Sequence, residues 1–159
     1  MKNFKSLDDR EVRKVEQSIL DKWEEKNIFQ KSIDMREKNF VFYDGPIYAN
    51  AMPGLHHLYG KNIKDAFCKY KTMKGYKVLR KIGLDTHGLP IEVNVEKKLG
   101  FKSKVDIEKF GIDKFNEECK KATDTNVDDV IRLTDMMGQF IDTKNPYITC
   151  SNDYIESEW

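Results

Sequence analysis

Residues 40–88 read FVFYDGPIYANAMPGLHHLYGKNIKDAFCKYKTMKGYKVLRKIGLDTHG, and this stretch decides the fold. It opens on four apolar residues, Phe40-Val41-Phe42-Tyr43, which predict a strand. Gly45 and Pro46 end that ladder, because proline has no N–H to donate and glycine weakens a strand interior. A loop holding Pro53 and Gly54 follows. His56 and His57 then open a helical pattern that Gly75 stops. A second apolar run at residues 76–79 leads to Asp85-Thr86-His87-Gly88. Strand, loop, helix and strand make a βαβ unit, so the expected class is α/β with a parallel sheet. In open parallel sheets, ligands bind at the carboxyl ends of strands, beside helix N-termini. Asp44, Gly45, Pro46, His57 and Asp85 are expected along that edge.

The chemistry of that edge suits a nucleotide. Gly54 lets backbone approach a ligand closely. His56 and His57 sit where the unpaired N–H groups of a helix start favour anions, and an imidazole there can donate to a phosphate. Asp85 can face an ammonium. The stretch holds neither Gly-x-Gly-x-x-Gly nor Gly-Lys-Ser/Thr, so it matches neither common phosphate fingerprint. From spacing alone, a pair of surface histidines is the simpler reading.

Several blocks in order carry more information. They are Asp44-Gly45-Pro46, Tyr48-Ala49-Asn50, Pro53, His57, Ile63-Lys64-Asp65, residues 70–76 (YKTMKGY), residues 83–92 (GLDTHGLPIE), residues 96–100 (EKKLG) and Tyr154-Ile155-Glu156-Ser157. Together they resemble the N-terminal catalytic region of the class I aminoacyl-tRNA synthetases, and within it the isoleucine branch. Valine and leucine relatives share the fold and usually differ at the DTHGLPIE block, which favours the isoleucine branch. The resemblance runs from about residue 4 to residue 159. The family's signature at the helix start is His-x-Gly-His, and here Gly54-Leu55-His56-His57 stands in its place. The last histidine matches at His57. Gly54 replaces the first, and His56 occupies the motif's glycine position. One histidine role is therefore missing, or His56 supplies it from a shifted place. Leu84 stands where the family often has tryptophan.

The resemblance implies the first half of a Rossmann-type nucleotide-binding domain at residues 39–159, with an N-terminal helical extension at residues 1–38. It implies an isoleucine–tRNA ligase as parent: isoleucine and ATP give isoleucyl-adenylate and pyrophosphate, and the acyl group passes to tRNA. His57 is then the expected catalytic phosphate donor, with His56 as helper. Pro46, Tyr48, Ala49, Asn50, Gly54 and His57 are expected at ATP. Gly45, Pro46 and Asp85 are expected at the amino acid, with Asp85 on its ammonium. Mg2+ would arrive with ATP rather than in a protein cage. The family's Lys-Met-Ser-Lys-Ser loop has no counterpart here, because Lys71-Thr72-Met73-Lys74 falls at a helix end. The editing and anticodon-binding regions are missing too. Two other classes stay open: a non-catalytic fragment that binds ATP or isoleucine, and a basic-helix RNA-binding module.

The remaining residues set limits. A length of 159 residues is one domain's worth of chain. Charged residues make up 35% of it, but the net charge is only +1, which gives no global pull toward nucleic acid or membrane. Residues 61–81 are locally basic, with seven lysines and Arg80 against Asp65 alone, and a solvated helix face is the simpler reading. Cys68, Cys119 and Cys150 form no Cys-x-x-Cys pair, which argues against zinc or a disulfide framework. Cys68 and Cys119 read as small buried hydrophobes, and thiols fit a reducing cytoplasm. No apolar run reaches membrane-spanning length.

Flanking elements follow from periodicity and caps. Residues 6–29 read as one amphipathic helix capped by Ser6, with Asp8 and Asp9 in its first turn and Val12, Val15, Ile19 and Trp23 as its packing stripe. Residues 31–39 read as a polar link. In the central helix, Ile63, Phe67 and Tyr70 share a face with Ala66 and Met73 beside it, and this face is expected to be core. Gly83 and Gly88 are expected to let the chain turn around Asp85. Residues 90–99 read as a helix ended by Gly100, and Ser103 with Asp106 as a capping box. Residues 113–141 read as a long helical stretch, broken near residues 123–126 or at Gly138. Residues 147–150 are a strand candidate, and Ser151 caps a final helix.

Overall fold

The computed structural model describes residues 9–159. Ser6 and Asp8 of the expected first cap lie outside them. Three parallel strands form one sheet in the order β1-β2-β3, with β1 at Ile47–Tyr48, β2 at Lys81–Asp85 and β3 at Asp142–Ile148. The helices are α1 (Asp9–Glu25), α2 (Ile28–Asp34), α3 (Leu55–Met73), α4 (Leu89–Leu99), α5 (Lys104–Phe110), α6 (Ile112–Met136) and α7 (Asn152–Glu158). The α/β class and the βαβ unit are as the sequence implies.

The first strand is shorter and later than the apolar run suggests. Residues 40–43 carry no ladder, and Val41 and Tyr43 are exposed. The reason is a slip in register. Asn39 bridges Lys77 while Ile47 pairs with Leu84, so eight steps on one segment run beside seven on the other. The extra residue has no partner across the ladder, and the pairing is disrupted there. The gap becomes a cleft of about 830 Å3 between residues 39–44 and residues 77–81.

The second strand begins at Lys81 rather than at residue 76, where a partner in β3 first becomes available at Asp142. β3 itself starts five residues before Tyr147. The Asp142 carboxylate accepts from the backbone N–H groups of Lys144 and Asn145, folding a turn into the strand. Pro46 stands just before β1 and Pro146 lies within β3; both β1 and β3 are outer strands, where a missing N–H is tolerated. Thr149 and Cys150 lie beyond the ladder.

The core gathers on one sheet face. Ile47, Ala49, Ile82 and Leu84 pack against Val127 and Val130 of α6 and Ile141. Gly83 does not turn the chain. It sits inside β2, and the Tyr147 ring lies 1.9 Å from where a Cβ would stand. Glycine is needed there for close approach. Gly88, at φ +99°, is the residue that turns into α4.

The apolar stripe of α3 is turned outward. Ile63, Phe67, Tyr70 and Met73 are exposed, whereas Asp65, Cys68 and Thr72 are buried. The polar face is inward because it makes a network. Asp65 accepts from Arg80 at 2.8 Å, Lys69 at 2.7 Å and the Phe140 backbone N–H at 2.9 Å. Lys69 also donates to the Gly138 carbonyl. A carboxylate that ties α3, β2 and the α6–β3 turn is tolerable in the interior because it is fully paired.

The N-terminal helix divides in two at Asn27, whose φ of +48° breaks it. Asparagine adopts that left-handed conformation more readily than most residues. The expected link at residues 31–39 therefore begins as α2. Trp23 and Phe29 meet the Phe140 ring edge-on at 5.3 and 5.1 Å, which joins α1 and α2 to the sheet end. α6 runs unbroken through residues 123–126 and stops at Gly138. Thr123 and Thr125 donate back to the Cys119 and Lys121 carbonyls, so these polar residues are satisfied within the helix. Around α5, the Asp106 carboxylate accepts from the N–H groups of Lys102 and Ser103, and Ser151 accepts from the Tyr154 N–H at α7.

Candidate functional site

The carboxyl ends of all three strands face one edge, at Tyr48, Asp85 and Ile148. The loop from β1 carries Asn50, Pro53 and Gly54 into α3. Asp85 follows fully buried Leu84, and its side chain is half exposed. Among the described residues, that side chain makes one long hydrogen bond, accepting from the His87 N–H at 3.4 Å.

α3 starts without a side-chain cap from its Ncap residue, Gly54. His57 supplies the cap from inside the helix: its Nδ1 accepts the Gly54 N–H at 3.2 Å. With Nδ1 as acceptor, Nε2 is left as an N–H donor. The His56 ring lies 3.9 Å from the His57 ring, and both are exposed. A Cβ at position 54 would stand 2.9 Å from the His56 imidazole. The glycine at 54 and the histidine at 56 thus fit each other. The helix end, with its free N–H groups and two imidazoles, is suited to an anion.

Tyr48 donates to the His87 carbonyl and ties β1 to the loop after Asp85. Burial, and then the Asp85 charge, push its hydroxyl above the usual tyrosine range, so it stays a donor. Ala49 is fully buried. Its N–H donates to the Asp85 carbonyl and its carbonyl accepts from Asn126, which leaves no polar atom of Ala49 for a ligand. Ala49 therefore lies beneath the edge, tied to β2 and α6. Asn94 holds the Asn50 carbonyl at 3.0 Å.

Asp44, Gly45 and Pro46 precede β1 and stand beside the middle of β2 rather than past its end. Gly45 and Pro46 are exposed. Asp44 pairs with Lys64 of α3, and its carbonyl accepts from Tyr147. Burial lowers the Lys61 ammonium below the ordinary lysine range, with only the Asp44 charge opposing.

The basic run is largely engaged within the protein. Lys64 meets Asp44, Lys69 and Arg80 meet Asp65, and Lys71 lies over the rings of Phe40 and Tyr76. Cys68 is buried, Cys119 half-buried and Cys150 exposed. Among the described residues, no three of His, Cys, Asp or Glu come together as a metal cluster. No described helix is long and apolar enough to cross a membrane.

Sequence reasoning gave no bracing role to Asn94, Asn126, Thr86 or Thr149, although Thr86 falls in the block at residues 83–92; all four brace this edge. Their partners lie tens of residues away, and no motif or period marks such contacts.

The family model for class I tRNA synthetases (I, L, M and V) matches residues 18–159. The isoleucine–tRNA ligase 2 of Bacillus cereus is 48% identical over 91% of this chain. The isoleucine–tRNA ligases of Bacteroides fragilis and Dehalococcoides mccartyi are 46% and 45% identical over 99% and 98% of it. The chain spans 14% of the length of the first two and 16% of the third. A crystal structure of the ternary complex of Agrobacterium radiobacter K84 agnB2 LeuRS with tRNA and LeuAMS superposes with a TM-score of 0.70. It is 24% identical and covers 94% of this chain and 16% of that one, which establishes the likeness of fold.

Proposed function

The chain belongs to the class I tRNA synthetases, and from that membership we propose that it is the N-terminal part of an isoleucine–tRNA ligase. In the parent reaction, a carboxylate oxygen of isoleucine attacks the α-phosphorus of ATP. The bond to the β,γ-pyrophosphate breaks, isoleucyl-adenylate forms, and the acyl group then moves to tRNA. The observation that carries the proposal is the start of α3. There His57 Nδ1 accepts the Gly54 N–H, which leaves Nε2 of this exposed residue as a donor for a phosphate oxygen.

The remaining roles are assigned on the same reading. Asp85 receives the substrate ammonium from the end of the central strand. Gly45 and Pro46 line the amino-acid side, and Tyr48, Asn50 and Gly54 the ATP side. His56 assists His57 from the neighbouring position. Mg2+ enters as the ATP complex. The protein is placed in the cytoplasm, where the parent reaction would meet its tRNA, and residues 1–38 and 39–159 are taken as extension and catalytic half.

Isothermal titration of the 159-residue chain with isoleucyl-sulfamoyl adenosine, and separately with tRNA, tests this. Binding of the analogue and not of isolated tRNA is expected. Binding of tRNA alone would point to an RNA-binding module, and binding of neither would remove the proposal.

A further inference from the structure

Beyond β2 and β3 the sheet ladder does not simply stop. The Thr149 N–H donates to the Leu84 carbonyl at 3.1 Å, as a ladder residue would. The next link is made by side chains. Thr149 Oγ1 accepts the Thr86 N–H at 3.0 Å, where a continuing strand would offer a carbonyl. Thr86 Oγ1 in turn accepts the Cys150 N–H at 3.0 Å, and the two hydroxyls lie 3.1 Å apart. Both threonines are buried, at 6% exposure each.

This clasp acts on one peptide group. The plane between Asp85 and Thr86 has its carbonyl held by the Ala49 N–H at 2.8 Å and its N–H held by Thr149 Oγ1. A planar peptide fixed on both sides fixes ψ of Asp85, and with it the direction in which the Asp85 side chain leaves the backbone. Among the described residues, the Asp85 carboxylate has little else to orient it beyond the long contact to the His87 N–H. We propose that Thr149, with Thr86, is a positioning residue that aims the Asp85 carboxylate at the substrate ammonium. The inference rests on the reading of Asp85 given under Proposed function. It does not place either threonine against the substrate.

Thr149→Val keeps size and branching and removes the hydroxyl. Binding of isoleucyl-sulfamoyl adenosine is compared with that of the same molecule lacking the α-amino group, on the 159-residue chain. The wild-type chain should prefer the amino-bearing molecule by about tenfold or more, the worth of one charge-assisted bond. In Thr149→Val that preference should fall toward unity while affinity for the des-amino molecule is retained. Thr149→Ser keeps the hydroxyl and should keep the preference. It carries the test should the valine variant fail to fold, and a folded serine variant that had lost the preference would overturn the inference. So would a Thr149→Val variant that retained the preference, or one that weakened both molecules equally. A wild-type chain with no preference between the two would overturn the reading of Asp85 and this inference together.

Discussion

His57 is exposed and Asp85 half-buried, while buried Ala49, Thr86 and Thr149 hold the backbone beside Asp85. Asp85→Asn should leave the fold intact, since its carboxylate accepts a single long hydrogen bond within the protein. It should weaken binding of the adenylate analogue by roughly 1.5–3 kcal/mol, because a charge-assisted bond becomes a neutral one. A native circular dichroism spectrum with unchanged affinity would remove Asp85 from the ammonium. At the other side of the site, His57→Ala should weaken ATP binding more than Gly54→Ala, measured by competition. His57 contributes both a donor and the cap on the Gly54 N–H. The alanine at 54 must push the His56 ring aside, since its Cβ would meet that ring at 2.9 Å, but it leaves the His57 donor in place. A reversed order would give His56 the phosphate role. The places of Asp85 at a strand end and of Gly54 and His57 at a helix start were legible, because such ends concentrate polar and turn residues in short spacings. Thr149, Asn126 and Asn94 were not, because a threonine standing in for a carbonyl looks like any threonine.

Helices and their caps read well from the sequence, and the faces they bury did not. The capping residues Ser103, Asp106 and Ser151 act within three or four positions, so local pattern finds them. α3 misleads, because its apolar stripe is real but faces away from the sheet. Substitution distinguishes the two faces. Phe67→Ser should change stability by no more than about 0.5 kcal/mol, as surface changes do. Ile82→Ala, at a site 1% exposed, should cost about 2–5 kcal/mol in urea unfolding. A large loss at Phe67 would mean that its face is covered after all. The inward face rests on Asp65. Asp65→Ala leaves the Arg80 guanidinium buried without its partner, so a loss of about 3–5 kcal/mol is expected. A near-native urea midpoint in that variant would show that Arg80 reaches water when the carboxylate is gone. The first strand failed for a related reason: four apolar residues in a row reveal β preference, but not the one-residue slip that opens the ladder beside residues 77–81.

At the scale of the whole chain, binding and turnover separate. The chain spans 14% of the first relatives and has no counterpart of the Lys-Met-Ser-Lys-Ser loop. Breaking the α–β phosphate bond develops negative charge on pyrophosphate, and stabilising that charge by fixed donors and cations is a large part of such catalysis. On the proposed reading, the described residues offer one side of that arrangement, the α3 N-terminus with His56 and His57. Of the nearby cations, Lys69 is held by Asp65, and Lys64 by Asp44 in a partly exposed pair. Arg80, the remaining cation of that network, is 4% exposed and cannot reach a ligand at the surface. The purified 159-residue chain should therefore bind the adenylate analogue and yet show little or no isoleucine-dependent pyrophosphate exchange. The Bacillus cereus isoleucine–tRNA ligase 2, assayed beside it at equal concentration, serves as the positive control. Robust exchange by the short chain that disappears in His57→Ala would overturn this expectation. It would mean that one helix end and one carboxylate suffice for the chemistry, with the pyrophosphate charge left to Mg2+ and water.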